Sequence, residues 1–293
     1  MDKDFVMTLL MRDFNGQVEG YTAEGACGLN SIPATVSRWG GGLAFVEERL
    51  ISFGGWLGGL GQPDTFEFNF NTNSWIKVDD MPSASHLSYY GYTQTAIGHN
   101  STTGKEVAYY FGSPELYIFN PYITDNPWSL MMTDINLWTM GVVGVGYDLI
   151  IIDGKSGSVI RYNTRIQQKS FLKSLPVAED QCYYPKAANL RRSSGVGIMV
   201  VCSNGETWIC LLDDLESSPS WNKLTSVGDR VSTYGMMLAY VEGTMHCLRG
   251  PKSWKWDDAN EKWVRAPEGY SAWHQWYART TYASVSKGFL PGC

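Results

Sequence analysis

Asn or Asp recurs through this chain at a nearly regular interval: Asp13, Asn69, Asn120, Asn163, Asp213 and Asp257 lie 56, 51, 43, 50 and 44 residues apart. Each follows an apolar, strand-like run and precedes a second one. Asn and Asp side chains hydrogen-bond their own backbone, and Asn tolerates left-handed geometry, so both start tight reversals at low cost. A period of about fifty residues is too long for the common helical repeats and suits four strands per unit. The chain is therefore expected to be all-β, its sheets repeated radially like the blades of a propeller.

The repeat is clearest around the second marker. Phe66-Glu67-Phe68 leads into Asn69-Phe70-Asn71-Thr72-Asn73-Ser74, and Trp75 opens the returning strand Trp75-Ile76-Lys77-Val78. The six-residue step from marker to Trp recurs from Asp257 to Trp263, while Asn120 to Trp128 and Asp213 to Trp221 take eight residues. Lys169 holds the Trp position in the third unit, where Leu175-Pro176 follows it as Met81-Pro82 follows Trp75. Upstream of each hairpin lies another. Leu43 to Val46 turns through Glu47-Glu48-Arg49 into Leu50 to Phe53 and ends at Gly54-Gly55, and Val142 to Val145 turns through Gly146-Tyr147-Asp148 into Leu149 to Ile152. Such near-continuous apolar strands are expected to be buried on both faces. The regularly placed Trp75, Trp128, Trp221 and Trp263 read as packing between blades.

Taken together, the apolar strand ending in Gly54-Gly55, the aromatic Phe68, Trp75 and Met81-Pro82 resemble the kelch repeat. Partial matches in register extend the resemblance over essentially the whole chain, with the double glycine reduced to Phe111-Gly112, Asp153-Gly154, Cys202-Ser203 and Arg249-Gly250. The resemblance implies a single six-bladed β-propeller of kelch type with four-stranded antiparallel blades, spanning residues 1–293. Five blades would occupy residues 34 to 277, and residues 1–33 with 278–293 would close the sixth, two outer strands coming from the N-terminus and two inner ones from the C-terminus. Closure of this kind removes the sheet edges that otherwise template aggregation. The family resemblance extends to copper oxidases with a Tyr-Cys crosslink, iron-dependent plant specifier proteins and a sialic acid mutarotase. Their diagnostic motifs are not recognisable in these residues, so no cofactor and no metal is expected.

A net charge of −6 argues against nucleic acid, because phosphate neutralisation needs clustered Lys and Arg. Arg191-Arg192, the only basic cluster, falls in an expected hairpin turn and reads as solvated surface. No apolar stretch approaches the about 20 residues needed to span a bilayer. The start, Met1-Asp2-Lys3-Asp4, lacks the basic region and apolar core of a secretory signal, which suits a cytosolic protein or a mature form. The sequon Asn100-Ser101-Thr102, an even number of cysteines and sparse charge lean instead toward an extracellular protein. Cys27, Cys182, Cys202, Cys210, Cys247 and Cys293 are too dispersed to read as a zinc site. A two-residue turn at Asn204-Gly205 would pair Cys202 with Thr207, which argues against a Cys202–Cys210 bridge, whereas Cys293 falls in the expected closing blade and Cys27 just beyond it, which leaves a bridge between those two open. His86, His99, His246 and His274 are scattered, and there is no carboxylate-histidine motif, phosphate loop or serine elbow, so no catalytic residue is assigned.

The candidate site is a second hexad. Trp39, Tyr90, Trp138, Tyr184, Tyr234 and Tyr277 each stand just before an innermost strand, one per expected blade. They would ring the channel mouth and offer π faces to sugars, flat conjugated molecules or cations. Aromatics at equivalent repeat positions also serve as inter-blade packing, the commoner role. Nearby loops add Arg38, Ser85, His86, Asp134, Asn136, Glu179, Asp180, His274 and Gln275. In the loop from Trp56 to Pro63, the apolar tip Trp56, Leu57 and Leu60 follows the first double glycine, where resemblance to kelch domains implies the partner-binding face; folding back over the ring is the other arrangement. The expected function is non-enzymatic: a binding module presenting loops to a protein or glycan partner. The alternative is a small aromatic or pigment ligand held by the collar, and a kelch-type enzyme such as a sugar mutarotase ranks below both.

Overall fold

The structure, a computed structural model, describes residues 8–9, 11–12, 18–22, 25–28, 41–57, 60–82, 94–112, 114–135, 137, 139–192, 195–213, 219–227, 236–241, 243–249, 252–266 and 284–285. Five four-stranded antiparallel sheets follow one another along the chain, each strand pairing with its neighbour in sequence. The first contains Gly42–Val46, Arg49–Phe53, Thr65–Asn69 and Ser74–Val78, and the second Gln94–His99, Glu106–Gly112, Glu115–Phe119 and Trp128–Met132. The third contains Met140–Val145, Asp148–Asp153, Val159–Asn163 and Gln168–Leu172. Lys186–Arg192, Gly195–Val201, Thr207–Leu211 and Asn222–Leu224 make the fourth, and Met236–Val241, Thr244–Arg249, Lys252–Asp257 and Lys262–Arg265 the fifth. The first strands of successive sheets lie side by side, so these sheets are the blades of a β-propeller. Among the described residues no helix is long and apolar enough to cross a membrane.

Four of the recurring markers act as their chemistry dictates. The Oδ1 atoms of Asn69, Asn120, Asn163 and Asp257 accept backbone N–H groups two or three residues ahead, at 2.9 to 3.2 Å. At Asp213 the chain is helical instead, and Asp13 lies outside the described residues. Two other turns are one residue shorter than expected. Val46 pairs with Arg49 across Glu47 and Glu48, at φ 50° and 60°, and Val145 pairs with Asp148. Two-residue turns with left-handed backbone match the right-handed twist of the flanking strands, so they prevail even over two glutamates. Arg49 thereby joins the strand, where it holds Glu67 through two hydrogen bonds of 2.9 and 2.6 Å and donates to the Pro121 carbonyl. At Asn204-Gly205 the register differs from expectation: Val201, not Cys202, pairs with Thr207. The Cys202 carbonyl accepts from the Gly205 N–H at 2.9 Å, which lengthens the turn.

Alternation along the apolar strands places the core between blades. In Asp148–Asp153, Ile150 and Ile152 pack toward the fourth blade with Ile198, Val200 and Trp208, while Leu149 and Ile151 pack toward the second with Tyr109 and Phe111. Equivalent clusters join the first blade to the second and the fourth to the fifth. The repeated Trp residues tie these interfaces. Trp128 and Trp263 donate through Nε1 to Thr65 and Thr207 of the preceding blades at 2.9 and 3.0 Å, and Trp221 donates to the Lys173 carbonyl at 2.9 Å. Lys169, in the Trp position of the third blade, binds Asp134 at 2.5 Å, and Trp75 is half-buried. Met81, Ile135, Leu175 and Val227, each just past an outer strand, send their N–H back to Pro63, Pro114, Gly157 and Gly205 at 2.8 to 3.0 Å, which keeps the register common to four blades. Nearer the axis, a Cβ on Gly144 would stand 1.8 Å from the Ile97 carbonyl oxygen, so the inner strands approach only because that side chain is absent.

Six four-stranded blades are expected, and five are found among the described residues. Apart from a short hairpin, Trp56–Leu57 against Leu60–Gly61, the remaining described strands are a three-stranded sheet of Met11–Arg12, Val18–Thr22 and Gly25–Gly28, and a ladder pairing Thr8–Leu9 with Ser284–Val285. The N-terminal segment thus carries a strand beyond the two expected. Gly25-Ala26-Cys27-Gly28 hides it, because glycine is depleted in strands and the run reads as a turn. Ser284–Val285 lies beside the inner strand Gly42–Val46 of the first blade.

Candidate functional site

Up-and-down strand order gives the ring two unlike ends. The turns within first-to-second and third-to-fourth strand pairs lie on one face; second-to-third loops and the connections between blades lie on the other, the loop face. Most of the expected collar, namely Trp39, Tyr90, Trp138, Tyr234 and Tyr277, lies outside the described residues, together with Arg38, Ser85, His86, Asn136, His274 and Gln275. Tyr184, Asp134, Glu179 and Asp180 are described. The loop carrying Trp56, Leu57 and Leu60 is a small β-hairpin, Trp56–Leu57 against Leu60–Gly61, springing from Gly54 and Gly55 at φ 63° and 105°. A Cβ on Gly54 would come within 3.0 Å of the Tyr110 hydroxyl and 3.1 Å of Met81, so the glycine serves both the turn and a close contact.

The best-defined part of the loop face is the connection from the third blade to the fourth. Asp153 accepts the Lys155 and Ser156 N–H groups at 3.1 and 3.2 Å, and the Asp180 N–H then binds the Lys155 carbonyl at 2.9 Å. Lys155 also faces Glu179 at 3.8 Å, an exposed pair of little energetic weight. Cys182, fully buried, is bridged to Cys202, which occupies the place of Gly54 in the first blade. Pro185 nests against Gly141 and Gly154; a Cβ on Gly154 would sit 2.5 Å from its Cδ. Between the bridge and this proline stand Tyr183 and Tyr184, edge to face with ring centroids 4.6 Å apart. Tyr183 is 37% exposed, whereas Tyr184 is half-buried and held at φ 53°. A left-handed tyrosine persists only where its surroundings dictate the backbone.

The repeat register marks one aromatic per unit, so it points to Tyr184 and passes over Tyr183. It also misses the Cys182–Cys202 bridge, since the two residues are 20 positions apart and no spacing rule joins them. On the opposite face an open cavity of about 390 Å³ lies between the fourth and fifth blades, lined in part by Arg191, Tyr240, Lys255, Asp257 and Asp258. Burial raises Tyr240 above the usual phenol range, and hydrogen bonds from Asn260 hold Asp257 below the usual carboxylate range. Arg191 lies within the strand Lys186–Arg192, paired with Val196, and helps to line this hollow, rather than forming the plain solvated turn expected of it. Among the described residues no three His, Cys, Asp or Glu side chains are grouped so as to hold a metal ion.

No protein-family model and no curated protein matches this chain. Solved structures do match, 564 chains in all, so the architecture is widespread and cannot by itself select an activity. One is a fungal alcohol oxidase of the AA5 family, in complex with copper; it is 13% identical, with a TM-score of 0.52 over 91% of this chain and 66% of its own length. At that identity the likeness shows the fold alone, and the fold is a β-propeller.

Proposed function

We propose that this chain is a non-enzymatic binding module, a six-bladed propeller of kelch type working outside the cell and recognising a glycan or protein partner through its loop face. The three-stranded N-terminal sheet and the Thr8–Leu9 ladder with Ser284–Val285 are read as the sixth blade, sewn from both chain ends. The Cys182–Cys202 bridge supports the extracellular reading, because disulfides persist in oxidising compartments.

The observation that carries the binding reading is Tyr183 and Tyr184, an aromatic pair fixed between a disulfide and a proline on the loop face. Aromatic side chains held rigid before contact lose little entropy on binding, and Tyr183, 37% exposed, presents part of its surface to a partner. The hairpin at Trp56 extends the same face. The copper-bound neighbour favours an oxidase as the competing reading; at 13% identity its chemistry is not carried over to this chain.

The test is a screen of the immobilised chain against glycans and secreted proteins, followed by titration of any hit. Tyr183→Ala should weaken binding by about tenfold, equal to about 1.4 kcal/mol, while Ile166→Ala on the turn face should leave it unchanged. Equal affinity of the Tyr183 variant, or peroxide produced from alcohols by copper-loaded protein, would overturn the reading.

A further inference from the structure

We infer that Asn100 is the acceptor of an N-linked glycan when the chain passes through a eukaryotic secretory pathway, an assignment that rests on the extracellular reading above. Asn100-Ser101-Thr102 is the only Asn-X-Ser/Thr sequence in the chain with X other than proline. It opens the turn between His99 and Glu106, the last ladder pair of the first two strands of the second blade.

The turn leaves the reactive atom available. Asn100 Oδ1 accepts the Thr102 N–H at 2.8 Å and the Thr103 N–H at 3.0 Å, while no hydrogen bond among the described residues uses Nδ2. Transfer joins Nδ2 to C1 of the first N-acetylglucosamine of a lipid-pyrophosphate-linked oligosaccharide. The C1–O bond breaks, the lipid pyrophosphate departs with the electron pair, and one amide proton passes to a base of the transferase. The product is still an amide, so Oδ1 keeps both acceptor bonds and the turn survives modification. Thr102 and Thr103 are exposed.

Geometry also suits the timing. The Asn100 N–H binds the Lys105 carbonyl at 2.8 Å, and Gly104, at φ 68°, returns its N–H to the Asn100 carbonyl at 2.9 Å. Both bonds close within six residues, so the loop forms without waiting for the ring. Beside it, Lys105 Nζ lies 4.1 Å from the ring centre of Tyr122, which is 36% exposed next to Ile123 at 46%. A glycan on Asn100 would cover this apolar surface and project from the turn face, away from Tyr183.

The chain should be expressed behind a cleavable signal in eukaryotic cells and its intact mass compared before and after peptide N-glycosidase. A glycan at position 100 is expected, retained in Ser101→Ala and Thr102→Ser and lost in Thr102→Ala, which keeps the Asn100 amide. A folded, secreted wild type with unmodified Asn100 would overturn the assignment. Modification there, with bare Asn100 in protein from its source, would uphold the acceptor and sink the extracellular reading instead.

Discussion

His246 shows how much the environment of a single residue decides. It is 2% exposed on the second strand of the fifth blade, and burial, with Lys255 opposite it across the ladder, pushes its pKa down to about 4. An unfolded chain has a His pKa near 6.5 and so binds more protons between that pH and about 4; stability must therefore fall as pH drops through this window. The gap corresponds to about 3 kcal/mol. Denaturant titrations at pH 7 and pH 4 should register that loss in the wild type, with a flatter profile for His246→Gln. An equally steep profile in the variant would assign the acid sensitivity to other groups. Residue-scale strain is placed as deliberately: Glu47 and Glu48 accept left-handed backbone for the sake of a hairpin whose next residue, Arg49, binds Glu67.

Among the elements, the inner strands have the least room. Gly144 brings Met140–Val145 against Gln94–His99, and on the other side its carbonyl accepts the Asn189 amide at 2.8 Å. Gly144→Ala must separate the second and third blades near the axis, at a cost of about 1–3 kcal/mol. The expected readout is a lower denaturation midpoint with an unchanged slope; an unshifted midpoint would mean that the strands part without penalty. Between elements, the Trp128 and Trp263 indoles each reach the start of the third strand in the preceding blade, at Thr65 and Thr207, although they stand eight and six residues past their markers. The contact between blades is kept while the turn before it varies in length.

At the scale of the molecule, the proposed closure by both chain ends has a direct test. Deleting residues 1–12 removes the partner of Ser284–Val285 and the outer neighbour of Val18–Thr22, opening sheet edges at both places. The melting temperature should fall by at least about 5 °C, with growth of aggregates seen by light scattering. A truncated chain that stays monomeric at the wild-type melting point would show that the ends do not hold the ring.

What could be read from residues alone was whatever depends on short-range chemistry: the marker period, the Asx turns at Asn69, Asn120, Asn163 and Asp257, the double glycine at Gly54, and strands buried on both faces. Backbone propensity and side-chain alternation act over a few residues, so they leave a local trace. The candidate site was legible only at Tyr184 and in the position of the Trp56 loop. Tyr183, the Cys182–Cys202 bridge, the hollow beside Arg191 and the strand at Gly25–Gly28 required coordinates. Each of these depends on which distant segments meet once the blades pack, and that choice is made by the summed burial of the whole ring.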